Sequence, residues 1–146
     1  MKKIYYWINA FFSIIVFNKD LEKHGLTKMF KEYAVKFGSI PYIDYRVFAE
    51  KEILARTGEM NSWINAAISA CRFLPFEAKC IHQSFYIFKL VRKRYGMPVS
   101  LVIGTCPFPF SAHAWIMAGK ENFFEEDYET SKYDIILRSE DFYEMG

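Results

Sequence analysis

The chain is poor in whatever marks a specialised scaffold. Its 146 residues hold three cysteines, seven glycines and five prolines. Three cysteines are an odd number and too few for a disulfide framework, so free thiols in a reducing, cytoplasmic setting are expected. Glycine and proline are scattered singly, which excludes collagen-like and low-complexity chains. A 52% hydrophobic content with a net charge of only +2 excludes intrinsic disorder. The apolar run Ile4 to Phe17 covers 14 residues and is broken by Asn9 and Ser13, short of the roughly 20 that a spanning helix needs. Lys2 and Lys3 precede it, but it meets Phe17-Asn18-Lys19-Asp20 in place of the small-residue cleavage site of a signal peptide. There is no C-x-x-C or H-x-x-x-H spacing, and Cys106 has no paired ligand nearby, so no metal site is expected. No glycine-rich turn precedes a helix, so no phosphate-cradling loop and no bound cofactor are expected either.

What is present reads as one domain over residues 1–146, able to bury roughly 70% of the surface it exposes when unfolded. Charge is unevenly spread. Residues 121–146 carry nine acids and two bases, while residues 1–120 carry 17 bases and eight acids. The bases of that body are dispersed, as on a solvated surface. Lys89, Arg92, Lys93 and Arg94 crowd the end of one predicted helix, where positive charge complements the dipole, so no nucleic-acid partner is expected.

Helical spacing dominates the first part. Trp7, Phe11, Ile14 and Ile15 share one face of a first helix, which packs on the domain or on a partner; contact with a membrane surface is the minor reading. Leu26, Met29, Phe30, Tyr33 and Phe37 form a second helix stopped by Gly38. Val47, Phe48, Ile53 and Leu54 predict a third, closed by Gly58. Ser62 caps a fourth, with Ile64, Ile68 and Cys71 inward, ending before Pro75; Cys71 reads as core. A fifth runs from about Cys80 to Tyr95 and stops at Gly96. Beyond Pro98 the pattern turns to strands: Val99–Ile103, a loop over Thr105–Pro109, Ala112–Ala118, a return over Phe123–Glu126, and Tyr133–Leu137 closing a four-strand meander. Helices followed by antiparallel strands describe an α+β domain, with a helical N-terminal part over 1–60 and a mixed helix-and-strand part over 61–146.

Cys80 stands out by position. At the amino end of a helix the dipole and unpaired N–H groups stabilise a thiolate and can hold an oxyanion. Such a nucleophile needs an imidazole and a group to hold that ring. His82 is two residues along the same helix and does not face Cys80. His24 lies in a charged stretch without a thiol. His113 lies on a strand that must pack near the Cys80 helix, and a hairpin at Gly119–Asn122 brings Glu125, Glu126 or Asp127 alongside it. The competing reading is a satisfied core histidine near a buried thiol.

The ordered set Leu74-Pro75-Phe76, Cys80, Arg92-Lys93-Arg94-Tyr95-Gly96-Met97-Pro98, Leu101-Val102-Ile103-Gly104 and Ala112-His113-Ala114-Trp115 resembles a known family. These are the transglutaminase-like cysteine proteases that remove the leader peptide in lasso-peptide biosynthesis. The detailed match covers about residues 62 to 137. The resemblance implies a transglutaminase-like, distantly papain-like α+β fold, with the nucleophile helix packed on a C-terminal antiparallel sheet. It implies Cys80 as nucleophile and His113 as general base. The family usually orients the histidine with an Asp; its spacing lands here on Glu125, with Asp127 as second choice. It further implies a split form without the leader-recognition domain, a precursor peptide as substrate, a separate leader-binding partner, and an ATP-dependent cyclase, any ATP being used by a partner. Two other outcomes belong to the same fold: an acyl transferase, and an inactive peptide-binding module.

Overall fold

The computed structural model describes residues 2–108, 110–123 and 127–145. In chain order these form α1 (Lys2–His24), α2 (Leu26–Gly38), a 3-10 turn (Tyr45–Val47), α3 (Glu50–Cys71), α4 (Cys80–Tyr95), β1 (Val99–Pro107), β2 (Phe110–Ala118), β3 (Glu121–Phe123), α5 (Asp127–Thr130), β4 (Asp134–Arg138) and a closing 3-10 segment (Ser139–Met145). The architecture is α+β: helices gather around α4, whose other side lies on an antiparallel sheet.

α4 is the axis of the molecule. Phe85, Phe88 and Val91 are wholly buried, between α1, α2 and α3 on one side and β1 and β2 on the other. Apolar side chains on nearly every face are what a helix surrounded by others requires. Gly96 ends it in the left-handed region (φ 57°), and a Cβ there would meet Ile43 Cγ1 at 2.6 Å, so glycine serves both as cap and as close approach. Arg92, expected to complement the helix dipole, is instead buried at 1% exposure. Its guanidinium donates to the Phe37 (3.1 Å) and Gly38 (2.7 Å) carbonyls that end α2, and to Val99 O (3.5 Å). The rings of Tyr42 and Tyr143 lie 5.0 Å from it on the cation–π side.

Several boundaries differ from the sequence expectation. α1 runs to His24, and its buried row is Tyr6, Ala10, Ile14 and Phe17. Trp7 and Phe11 lie partly buried beside that row, because Tyr6 stacks on Trp63 of α3 (4.1 Å, 25°) and small Ala10 lets the helices approach. Gly58 does not close a helix: α3 passes through it, and Ser62 donates to Gly58 O (3.1 Å) in place of capping. The inward residues Met60, Trp63, Ile64, Ala67 and Ala70 hold that helix by packing, which overrides the local glycine preference. Thr105–Pro107, expected as loop, extends β1, since Pro107 pairs with Phe110 across a tight hairpin.

The sheet is not a meander. Its order is β3-β2-β1-β4, so the last strand crosses to the far edge of β1, pairing Val102 with Arg138 and Thr105 with Asp134. The closing segment explains the crossing. Leu101 N–H donates to the buried Ser139 hydroxyl (2.9 Å), Phe142 packs edge-on against Phe30 of α2 (5.9 Å), and a side chain at Gly38 would overlap the Tyr143 ring. Pairing on the β1 edge brings that segment onto α2. The return strand starts earlier than expected: β3 takes in Glu121 and Asn122 of the expected Gly119–Asn122 turn, pairing Glu121 with Ala118 and Phe123 with Ile116, while residues 124–126 lie outside the described residues.

Candidate active site

The start of α4 is anchored before any chemistry is considered. His82 is buried, and its Nδ1 accepts the Lys79 N–H (2.9 Å), one of the donors a helix start leaves unpaired. That leaves Nε2 to donate to Asn18 Oδ1 of α1 at 2.8 Å. Both ring nitrogens are thereby committed, and burial pushes the imidazole pKa down. His82 holds the helix in place and takes no part with Cys80.

Cys80 is the first residue of α4, half-buried. The cross-strand register sets His113 of β2 opposite Gly104 of β1, and the His113 side chain hydrogen-bonds the Cys80 thiol. The Ala114 N–H donates to Sγ at 3.4 Å, and the Ile81 N–H adds a further bond. The Ala114 carbonyl accepts the buried Ser84 hydroxyl at 2.8 Å, one helical turn beyond Cys80. A single residue of β2 thus clamps the first turn of α4 through both its main-chain groups. Burial raises the thiol pKa, but the His113 hydrogen bond, the Ala114 N–H, the imidazole charge and the Ile81 N–H outweigh it, and the group lies below the ordinary thiol value. Such a cysteine is a ready nucleophile.

The imidazole is held by aromatic faces. Its ring stacks on Trp115 (5.6 Å, 20°) and on Tyr133 (5.3 Å, 24°). Trp115 Nε1 donates to Asn122 Oδ1 (3.0 Å), Asn122 Nδ2 to Thr130 Oγ1 (2.7 Å), and Tyr133 N–H to Thr130 O (3.0 Å). Gly104 makes the bracket possible: a Cβ there would meet Trp115 Cη2 and Tyr133 Cβ, each at 2.9 Å. Sequence reasoning did not identify Tyr133, Asn122 or Thr130. The lone glycine in a strand was the available signal, because such glycines mark a close approach.

The remaining candidates fall elsewhere. Glu125 and Glu126 lie outside the described residues. Asp127 opens α5, and only its backbone is described. Cys71 is half-buried at the end of α3, where burial raises its thiol pKa. Cys106 sits on β1 opposite Ser111, and His24 is exposed at the end of α1 beside Lys28. Among the described residues no three His, Cys, Asp or Glu side chains converge as metal ligands, and no helix is long and apolar enough to cross a membrane.

Comparison with protein families matches residues 42–138 to the model for a transglutaminase-like superfamily domain. No curated protein and no solved structure matches.

Proposed function

The chain belongs to the transglutaminase-like superfamily, and from that premise we propose that it is a cysteine peptidase that removes the leader from a ribosomally made lasso-peptide precursor. The observation that carries this reading is the placement of the Cys80 thiol at the first turn of α4, where it accepts the Ala114 N–H of the strand that carries His113. The ordered motifs from Leu74 to Trp115 support the finer assignment of substrate. In the proposed reaction His113 takes the Cys80 proton, and the thiolate attacks the carbonyl at the leader–core junction. The Cys80 N–H at the start of α4 is assigned to the developing oxyanion. His113 then protonates the departing amine, leaving a thioester. It next takes a proton from water, whose oxygen displaces Cys80 and releases the leader acid. Glu125 is assigned to hold the imidazole, with Glu126 and Asp127 as competitors. A separate leader-binding protein presents the precursor, and an ATP-dependent cyclase takes the core peptide.

The test is precursor cleavage in the presence of the leader-binding partner, read by mass spectrometry. Wild type is expected to yield two fragments whose masses sum to the precursor plus one water. Cys80→Ala should abolish cleavage, and His113→Ala should slow it by about 100-fold or more. Glu125→Gln should cost more rate than Asp127→Asn. Cleavage by Cys80→Ala at the wild-type rate would remove the mechanism. A product joined to an amine in place of water would identify an acyl transferase. Alkylation of Cys80 by iodoacetamide, midpoint near that of a free thiol (about 8.5) in both wild type and His113→Ala, would show that the resting thiolate–imidazolium pair is absent and would favour the inactive module over an enzyme assembled by its partner.

A further inference from the structure

The outer side of α1 has no task in the site described above, and its composition is unusual for a solvent face. Tyr6, Ala10, Ile14 and Phe17 lock the helix onto the core. Exposed on the helix are Ile4 (65%), Ile8 (44%), Phe12 (60%) and Val16 (58%), with Tyr5 (59%) beside them although its ring also meets Trp63 of α3 edge-on (5.7 Å). Their spacing makes a continuous row along a 23-residue helix lying flat on the molecule. Large apolar patches of this kind mark an interaction surface.

Charge says what kind. Lys2 and Lys3 precede the row, and Lys19 and Lys23 follow it interleaved with Asp20 and Glu22. Along its flank, cavities of about 450 and 340 Å³ share Ser13 of α1 and Lys89 of α4. Lys36 lines the first with Phe12 and Val16, and Lys93 and Arg94 line the second with Tyr5. Burial, with the charges of Lys93 and Lys36, pushes the Lys89 ammonium down. Among the described residues no carboxylate pairs with Lys36, Lys89 or Lys93. Asp20 and Glu32 line the first cavity toward the C-terminal end of α1, and Glu32 is already 3.9 Å from Lys28.

We propose that the outer face of α1 and the basic edge of α4 dock on an anionic lipid surface. The apolar row lies on a convex helix flank, where its side chains can enter the acyl boundary. Long lysine stems at both ends and along one side can reach lipid phosphates. A helix fixed to the core by its inner row lies in the interface plane and does not span it. The inference is independent of the peptidase reading.

The experiment is co-sedimentation of the full chain with vesicles of phosphatidylcholine alone or of phosphatidylcholine with phosphatidylglycerol. The expected result is binding to the mixed vesicles only, weakened by salt. Ile8→Glu with Phe12→Glu should lower partitioning at least ~10-fold, and Lys89→Gln with Lys93→Gln about five-fold for each lysine removed. Far-UV circular dichroism and the Cys80 alkylation profile should stay at wild type, since Ile8, Phe12 and Lys93 are exposed, Lys89 is only partly buried, and none of the four contacts the thiol. Absence of binding to mixed vesicles, or equal binding by the Ile8/Phe12 variant, would overturn the proposal. So would a concentration-dependent dimer that the same variant dissolves, which would assign the face to a second copy.

Discussion

The imidazole of His113 is oriented as much by what is missing as by what touches it. Trp115 and Tyr133 can press their faces toward the ring because residue 104, directly across the strand, has no side chain. Gly104→Ala would put a methyl group 2.9 Å from both aromatic residues. Overpacking of this kind costs about 1–3 kcal/mol, readable as a lower urea midpoint. It should also shift the ring, so that the pH midpoint of Cys80 alkylation rises toward about 8.5. A variant that loses stability but keeps the alkylation midpoint would show that the bracket holds the fold and not the base. Cys80 and His113 were legible in the sequence because each is defined locally, one by a helix start and the other by strand alternation. Tyr133 was not: it reaches His113 only through the pairing of β4 with β1, which no local pattern encodes. Arg92 was misread for a related reason, since its neighbours in sequence are exposed bases while its partners are carbonyls at residues 37, 38 and 99.

Among the elements, α3 and the sheet show where local signals and packing disagree. Gly58 looks like a stop, and in an isolated peptide it would weaken the helix, yet the residues after it are buried against α1 and α4. A Cβ at Gly58 would meet nothing within 4 Å. Gly58→Ala should therefore stabilise the protein by about 0.5–1 kcal/mol, by restricting the unfolded chain and favouring helix. Thermal or urea unfolding would check this, and a destabilised variant would mean that the helix bends there. The positions of α2, α4, β1 and β2 followed from periodicity and turn residues. The strand order did not, because it is decided by Phe142 and Tyr143 reaching α2, more than 100 residues away in sequence.

For the molecule as a whole, His82 couples the chemistry-bearing helix to the first one, and this contributes to acid sensitivity. Its folded-state pKa lies below the ordinary value of about 6.5. Well above that pH neither the folded nor the unfolded state carries the proton, and the full stability is present. As pH falls through about 6.5, the unfolded chain takes up a proton that the buried, doubly bonded ring refuses, and stability declines. The urea midpoint of wild type should drop more between about pH 7.5 and 5.5 than that of His82→Gln; equal drops would assign the acid limb to other groups. Arg92 has a different whole-molecule consequence. Its charge is compensated only when the end of α2, the start of β1 and the rings of Tyr42 and Tyr143 are all in place. Undocking the sheet from the helices would strip the guanidinium of the Val99 carbonyl and the Tyr143 ring. The buried cation therefore ties the sheet to the helices at the end of α4 opposite Cys80, so that β1 and β2 are fastened at both ends of the same helix.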